Sequence, residues 1–184
     1  MTDIKPHVKI VQHPNPTRRS YHITREVMEG DDKYGWGDSA YSRSLSLFSN
    51  KKPSQLVETL KDRLSAIPGV TGGHFEDYEV SIGIGEAFDW KDIGPVVLGE
   101  IVNAIFPETL SGTIEISAQI GWSYYVRPSG WDPDDDGHRI RYKDVVSREV
   151  VEVKDPQILD VERLLNSDAL QKAQEKAATE VVSE

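Results

Sequence analysis

One run of acidic residues, Asp132-Pro133-Asp134-Asp135-Asp136-Gly137, has the residue types and spacing of a metal-binding motif. Carboxylates at the first, third and fifth positions, followed by glycine at the sixth, form the start of a calcium-binding loop. Such a loop needs a bidentate glutamate at its twelfth position, where this chain has Lys143. The run therefore favours a solvated acidic tip between two strands, which discourages edge-to-edge aggregation. Weak calcium or magnesium binding is the alternative.

The histidines are the next residues that could hold a metal ion. His13 and His22 could meet across a hairpin and form a two-ligand site, but none of the five histidines has the spacing of a ligand pair on one helix. The sequence therefore predicts no metal site and no cofactor. The five residues are His7, His13, His22, His74 and His138.

Nucleophilic and redox chemistry have little support in the sequence. The chain has no cysteine, which excludes disulfides, thiolate catalysis, zinc ribbons and clusters held by cysteine. It also lacks a nucleophile elbow, a phosphate-binding loop and a dinucleotide fingerprint. We therefore predict no catalytic residues and a protein that is not an enzyme. A hydrolase or a metal-dependent enzyme is the weaker alternative, because no specific motif supports it.

The net charge and the hydropathy of the chain limit the kinds of partner that it could bind. The 184 residues carry a formal net charge of −10, which disfavours binding to the phosphates of nucleic acids. No apolar run reaches the roughly 18 residues of a membrane span. The first six residues, Met1 to Pro6, lack the apolar core of a signal peptide. We expect a cytoplasmic protein that binds neither nucleic acid nor membrane.

The first half of the chain alternates short strand patterns with two helix patterns. The turn Pro14-Asn15-Pro16 stops the first strand, and Pro68-Gly69 ends the first helix. Asp89 can cap the turn that follows it, and Gly94-Pro95 forms a second and better helix start. In order, we predict strands at 8–12 and 20–24, a long loop at 29–44, a helix from Pro53-Ser54 to Ile67, strands at 70–75 and 78–84, and a helix closed by Pro107.

Beyond residue 112 the pattern changes to a long alternation. Seven alternate positions from Ile114 to Val126 are apolar or aromatic, which predicts one strand with a single buried face. At about 3.3 Å per residue that strand would reach roughly 50 Å, so a bulge or bend near Gly121 is expected. Residues 138–153 predict the returning strand of an antiparallel hairpin. A weakly apolar helical tail follows from Asp155.

Four pieces of the first half, taken in order and spacing, resemble the N-terminal domain of the Nfu/NifU-type iron–sulfur scaffold proteins. The pieces are Pro14-Asn15-Pro16 after the first strand, Ile67-Pro68-Gly69-Val70, the alternating strand Glu79 to Ile84, and Asp89-Trp90 before an apolar helix. The resemblance covers about residues 7–106. It implies an α+β fold, a two-layer sandwich of a small, mainly antiparallel sheet with helices on one side, and the order of predicted elements agrees.

The chain also departs from this family. Residues 31–52 differ from the usual segment before the first helix, and the hairpin and tail replace the C-terminal domain with its Cys-x-x-Cys pair. Because the family's cluster sits on that pair, cluster binding is carried over to no residue here. We predict three regions: an Nfu N-terminal-like domain at 1–110, a long hairpin extension at 111–154 and a helical tail at 155–184.

Protein-binding residues are expected in two places. The resemblance implies that the family domain contacts partner proteins, which assigns that role to Pro14, Asn15 and Pro16; the alternative is that these residues and Trp90 only shape the fold. Aromatic residues gather around the distal half of the hairpin, which a two-stranded ribbon cannot bury by itself. They pack either within the chain or on a partner, and we predict the second. They are Trp122, Tyr124, Tyr125 and Trp131.

These features give two hypotheses about function. The first is a non-catalytic protein–protein interaction module, accessory to iron–sulfur cluster assembly but without cluster ligands. The alternative is a structural subunit of a phage virion or another multi-subunit complex, in which hairpin and tail grip neighbouring subunits. The predicted partners are other proteins, including copies of the chain itself.

Overall fold

The computed structural model describes residues 6–13, 15–28, 33–37, 45, 52–107, 113–120 and 147–152. In the last two ranges it describes the backbone, together with the side chains of 114–118. The elements in chain order are β1 (His7–Gln12), β2 (Arg18–Ile23), β3 (Tyr34–Gly37), α1 (Gln55–Ser65), β4 (Val70–Glu76), β5 (Glu79–Ile84), α2 (Trp90–Ile105), β6 (Thr113–Ile120) and β7 (Ser147–Glu152).

The strands form one seven-stranded sheet in the order β3-β4-β5-β2-β1-β6-β7. Neighbours pair antiparallel except β1 and β6, which run parallel. Together with the two helices this makes an α+β fold, which confirms the fold class predicted from the sequence. Neither described helix is long and apolar enough to cross a membrane.

One sheet face and the buried sides of both helices share a single hydrophobic core. Because strand side chains alternate between faces, every second residue of the inner strands points into that core. The predicted inward alternation of the strand after Tyr78 is confirmed at Val80, Ile82 and Ile84. The sheet contributes Val8, Ile10, Tyr21, Ile23, Phe75, Val80, Ile82, Ile84, Ile114, Ile116 and Ala118, and the helices contribute Val57, Leu60, Leu64, Trp90, Ile93, Val97, Leu98, Ile101, Val102 and Ile105.

β6 and β7 form the antiparallel pair that the alternating pattern predicts. Their register runs from Thr113 opposite Glu152 to Ala118 opposite Ser147. β6 also pairs with β1 through six successive residues, from His7 opposite Glu115 to Gln12 opposite Ile120. The described part of this hairpin is therefore continuous with the sheet of the first half. Residues 121–146, with the predicted bend near Gly121, lie outside the described residues, as does the tail.

The predicted start of the first helix at Ser54 is confirmed, whereas the preferred start of the second helix at Gly94-Pro95 is wrong, because α2 begins one turn earlier at the cap Asp89. The Ser54 hydroxyl accepts a hydrogen bond from Val57 N at 3.3 Å, and the Asp89 carboxylate accepts one from Lys91 N at 2.9 Å. α2 starts directly after Asp89, so Pro95 lies inside the helix and not at its first position. Proline has no backbone N–H, so α2 lacks one helical hydrogen bond at this position.

β3 lies inside the segment that the sequence predicts to be a loop. It is a four-residue edge strand in which Trp36 stacks on Phe75, with ring centroids 4.8 Å apart. Two of its four residues are glycines, so the sequence shows no alternation of apolar and polar side chains there. Gly37 has φ +91°, and a Cβ on it would lie 2.3 Å from the Thr71 carbonyl oxygen, so only glycine fits this close approach.

Candidate functional site

The turn after β1 is tied to the start of α2. Asn15 Oδ1 accepts hydrogen bonds from Thr17 N at 3.0 Å and Thr17 Oγ1 at 2.8 Å, which forms an Asx turn. The Pro16 carbonyl accepts a hydrogen bond from Trp90 Nε1 at 2.8 Å. Both Asn15 and Pro16 are exposed, so they remain within reach of a partner. These contacts show how the turn is held, and the predicted binding role stays a prediction.

Trp90 is itself buried between the turn and the sheet. The Arg19 guanidinium lies 4.7 Å from the centre of the Trp90 ring, and Arg19 Nε donates to Gln12 Oε1 at 2.6 Å. A cation over an indole face is favourable, the more so away from water. Trp90 therefore joins α2 to β2 and to the turn before it, and Arg19 extends this contact to Gln12 of β1.

The remaining predicted binding residues lie outside the described part of the chain. They are Pro14, Trp122, Tyr124, Tyr125 and Trp131, and the acidic run Asp132 to Gly137 lies there as well.

On the sheet face away from the core, polar side chains form a row across three strands. His13 Nε2 lies 2.7 Å from Ser20 Oγ, which donates to Glu79 Oε1 at 2.6 Å. His22 Nε2 lies 3.6 Å from the other oxygen of Glu79. Ser20 is only 1% exposed, so a substrate cannot reach its hydroxyl in this arrangement.

Burial shifts the pKa values of the titratable side chains in this row so that each side chain favours its neutral form. Burial raises the pKa of Glu79 to about 7, although the Ser20 hydrogen bond opposes that shift. Burial, followed by the nearby charge of Lys9, lowers the pKa of His22 to about 3. Burial, followed by Arg18, also lowers the pKa of His13. Near pH 7 the histidines are therefore neutral, and Glu79 is close to its point of half protonation.

The polar row can hold one proton either on His13 Nε2 or on the Glu79 carboxyl group. When Glu79 is ionised, Ser20 donates to it, and His13 Nε2–H then donates to Ser20. When Glu79 is protonated it can donate to Ser20, which then donates to a bare His13 Nε2. His13 and His22 do not meet directly across the hairpin, because His22 lies opposite Lys9 in the register of β1 and β2. Ser20 and Glu79 lie between the two rings. Among the described residues no three potential ligands are placed to hold a metal ion.

A groove on the helical side is the second candidate. It has a volume of about 520 Å³ and lies between the end of α1 and the first turns of α2. Phe88 and Val96 line it with 48% and 37% exposure, and they are the large hydrophobic side chains that the described residues leave exposed. The other lining residues are Arg63, Ala66, Ile67, Pro68, Asp92, Ile93 and Glu100.

Local structure fixes the shape of this groove. Phe88 N donates to the Gly85 carbonyl at 3.0 Å, and Gly85 N donates to the Gly69 carbonyl at 2.9 Å. A Cβ on Gly69 would lie 2.6 Å from the Phe88 ring and 2.5 Å from Ile93 Cδ1, and its φ of +97° also requires glycine. At one end Arg63 pairs with Glu100 at 3.4 Å. Phe88 is therefore held in place with much of its ring in solvent.

Two local features of the sequence indicate this groove, although neither belongs to a catalytic or metal-binding motif. Phe88 precedes the cap Asp89 and Ile93 follows four positions after it, which is the spacing of a hydrophobic staple. Val96 is apolar but lies beside the buried stripe of α2. The polar row is different, because it depends on the register of β2 with β5, which no local pattern reveals.

In the described part of the chain, fold and surface together define an α+β protein with a mixed sheet, a buried polar row and an exposed apolar groove. No family model, curated protein or solved structure matches this chain.

Proposed function

We propose that this chain is a protein-binding module and that the groove around Phe88 and Val96 is its contact surface. The observation that carries the proposal is that both exposed large hydrophobic side chains of the described residues line one depression. Water contact with such side chains is unfavourable, and burying them against a partner releases that cost. Aromatic anchors in pockets are typical of the residues that dominate binding energy.

The groove has the dimensions for this role. Its volume of about 520 Å³ lies within the roughly 300–1,000 Å³ of small-molecule pockets, which is room for a side chain of a partner protein. Its lining is mainly apolar, with charges confined to Arg63, Asp92 and Glu100. The predicted binding turn at Asn15-Pro16 is anchored on Trp90, in the same first turn of α2 that follows Phe88. A partner docked on the start of α2 would therefore lie close to both.

The resemblance of residues 7–106 to the Nfu N-terminal domain supports a finer proposal, an accessory role in iron–sulfur cluster assembly. Because the chain has no cysteine, that role would consist of contacts with carrier proteins and not of holding a cluster. The alternative, a subunit of a virion or other assembly, would make copies of the chain the partners of the groove.

Photo-crosslinking tests the proposal. The chain is expressed in its own organism with p-benzoylphenylalanine in place of Val96, and in a control in place of Thr59, which is exposed on α1. We expect discrete adducts with a partner polypeptide from position 96 only, and their loss when Phe88→Ser is added. An adduct with twice the mass of the chain would favour the assembly role. Identical adducts from both positions, or none from position 96, would contradict the proposal.

A further inference from the structure

The charges that surround the groove are predominantly acidic. Asp92 lines it, while Glu86 and Asp89 flank Phe88 in the chain, and all three are exposed. Lys91 is the exposed cation of this stretch. At the other end the Arg63 guanidinium already pairs with Glu100, so it offers little to an incoming anion.

Part of this acidity has a local role. Asp89 caps α2 and Asp92 lies in its first turn, where carboxylates interact favourably with the helix dipole. Glu86 lies before the helix and has no such role. Its charge adds to that of the helix start and leaves a negative surface beside the exposed ring of Phe88.

We propose that the groove binds a basic segment of another protein, in which one large apolar side chain is flanked by lysine or arginine. This rests on the proposed function. The apolar side chain would contact Phe88, Val96 and Ile93, and the flanking cations would face Asp92 and Glu86. Complementary charge of this kind speeds association and excludes wrong partners.

The same charges disfavour the other occupants. A second copy of the chain would bring a net charge of −10 toward a surface of the same sign. Nucleic acid is disfavoured for the same reason. On α2 the groove is lined by Ile93, Val96 and Glu100, which follow one another at helical spacing, and an amphipathic segment presents its side chains at the same spacing.

Peptide display on the intact chain provides the test. A library of random peptides, long enough for about four helical turns, is selected against the wild-type protein, and the enriched peptides are titrated by fluorescence anisotropy. We expect enriched sequences with one large apolar residue between basic residues. Their affinity should fall at least about tenfold with Phe88→Ser and about fivefold with Asp92→Lys or Glu86→Lys, and it should weaken as salt rises.

A control with the same change of charge separates this inference from general electrostatics. Glu58→Lys places the charge reversal on an exposed site of α1 that does not line the groove. If this control weakens binding as much as Asp92→Lys, or if the enriched peptides are neutral or acidic, the inference about charge is wrong, while sensitivity to Phe88→Ser still supports the groove. Peptides insensitive to Phe88→Ser, or no enrichment at all, would overturn both. Circular dichroism of each variant verifies the fold.

Discussion

Replacing Glu79 by glutamine should change how the stability of the protein depends on pH. The folded state raises the pKa of Glu79 from 4.5 to about 7 because the carboxyl is buried, with 14% of the side chain exposed. Between these two pH values the unfolded chain has released the proton that the folded chain still holds. Folding stability contributed by this group is therefore present at low pH and is lost as pH rises from 4.5 to about 7.

The size of the effect follows from the two pKa values. At about 1.4 kcal/mol for each unit of pKa difference, the loss amounts to roughly 3 to 4 kcal/mol above pH 7. Glutamine has no such cost, since it is neutral at every pH and keeps an oxygen that accepts from Ser20. The free energy of unfolding of Glu79→Gln, relative to wild type, should thus become more favourable by about that amount across this range.

Urea denaturation at a series of pH values measures this difference directly. The comparison with wild type removes contributions of other titrating groups, and Glu58→Gln, which changes an exposed carboxylate, is the control. If the curves for wild type and Glu79→Gln stay parallel from pH 4.5 to above pH 7, Glu79 does not hold its proton in the folded state, and the account of the polar row fails.

Three further predictions concern other parts of the structure. His22→Gln should reduce the loss of stability in acid, by about 2 to 3 kcal/mol at pH 4.5, because a histidine pKa lowered from 6.5 to about 3 costs stability as pH falls below 6.5; urea titration at that pH tests it. Trp90→Phe removes the hydrogen bond to the Pro16 carbonyl and should cost about 1 to 2 kcal/mol at neutral pH, whereas an unchanged urea midpoint would contradict that role. Gly69→Ala should destabilise the fold by about 1 to 3 kcal/mol and shift the NMR signals of the Phe88 ring, so unchanged ring signals would show that the groove does not depend on this glycine.

Local patterns predicted the elements whose signal lies within one segment. Alternation gave the core face of β5 and the described part of β6, and Ser54 gave the start of α1. For α2 the preferred start at Gly94-Pro95 was wrong, and the weaker signal at Asp89 marks the cap. β3 was not predicted because two of its four residues are glycines, which give no alternation of apolar and polar side chains. The strand is held instead by stacking of Trp36 on Phe75 and by the close approach of Gly37 to Gly72. Propensity contains no information about such contacts between distant segments.

The candidate sites were harder to predict because they are made by register and not by motif. His13, Ser20 and Glu79 meet only because β2 lies between β1 and β5 with Ser20 opposite Ser81. The turn at Glu76-Asp77 shows the same limit. Adjacent carboxylates in a turn between strands are usually solvated, yet Asp77 is only 5% exposed and Glu76 pairs with Lys33 at 2.9 Å. Burial of a polar residue depends on what the fold places over it.

The parallel pairing of β1 with β6 has a consequence for how the chain folds during synthesis. His7 and Ser117 are hydrogen-bonded although they are 110 positions apart. Until the ribosome has released β6, one edge of β1 has unsatisfied backbone groups that another nascent chain could capture. Contacts of such high sequence separation close slowly. We therefore expect a fragment that stops at Pro107 to aggregate, since its sheet would end at β1 with an open edge.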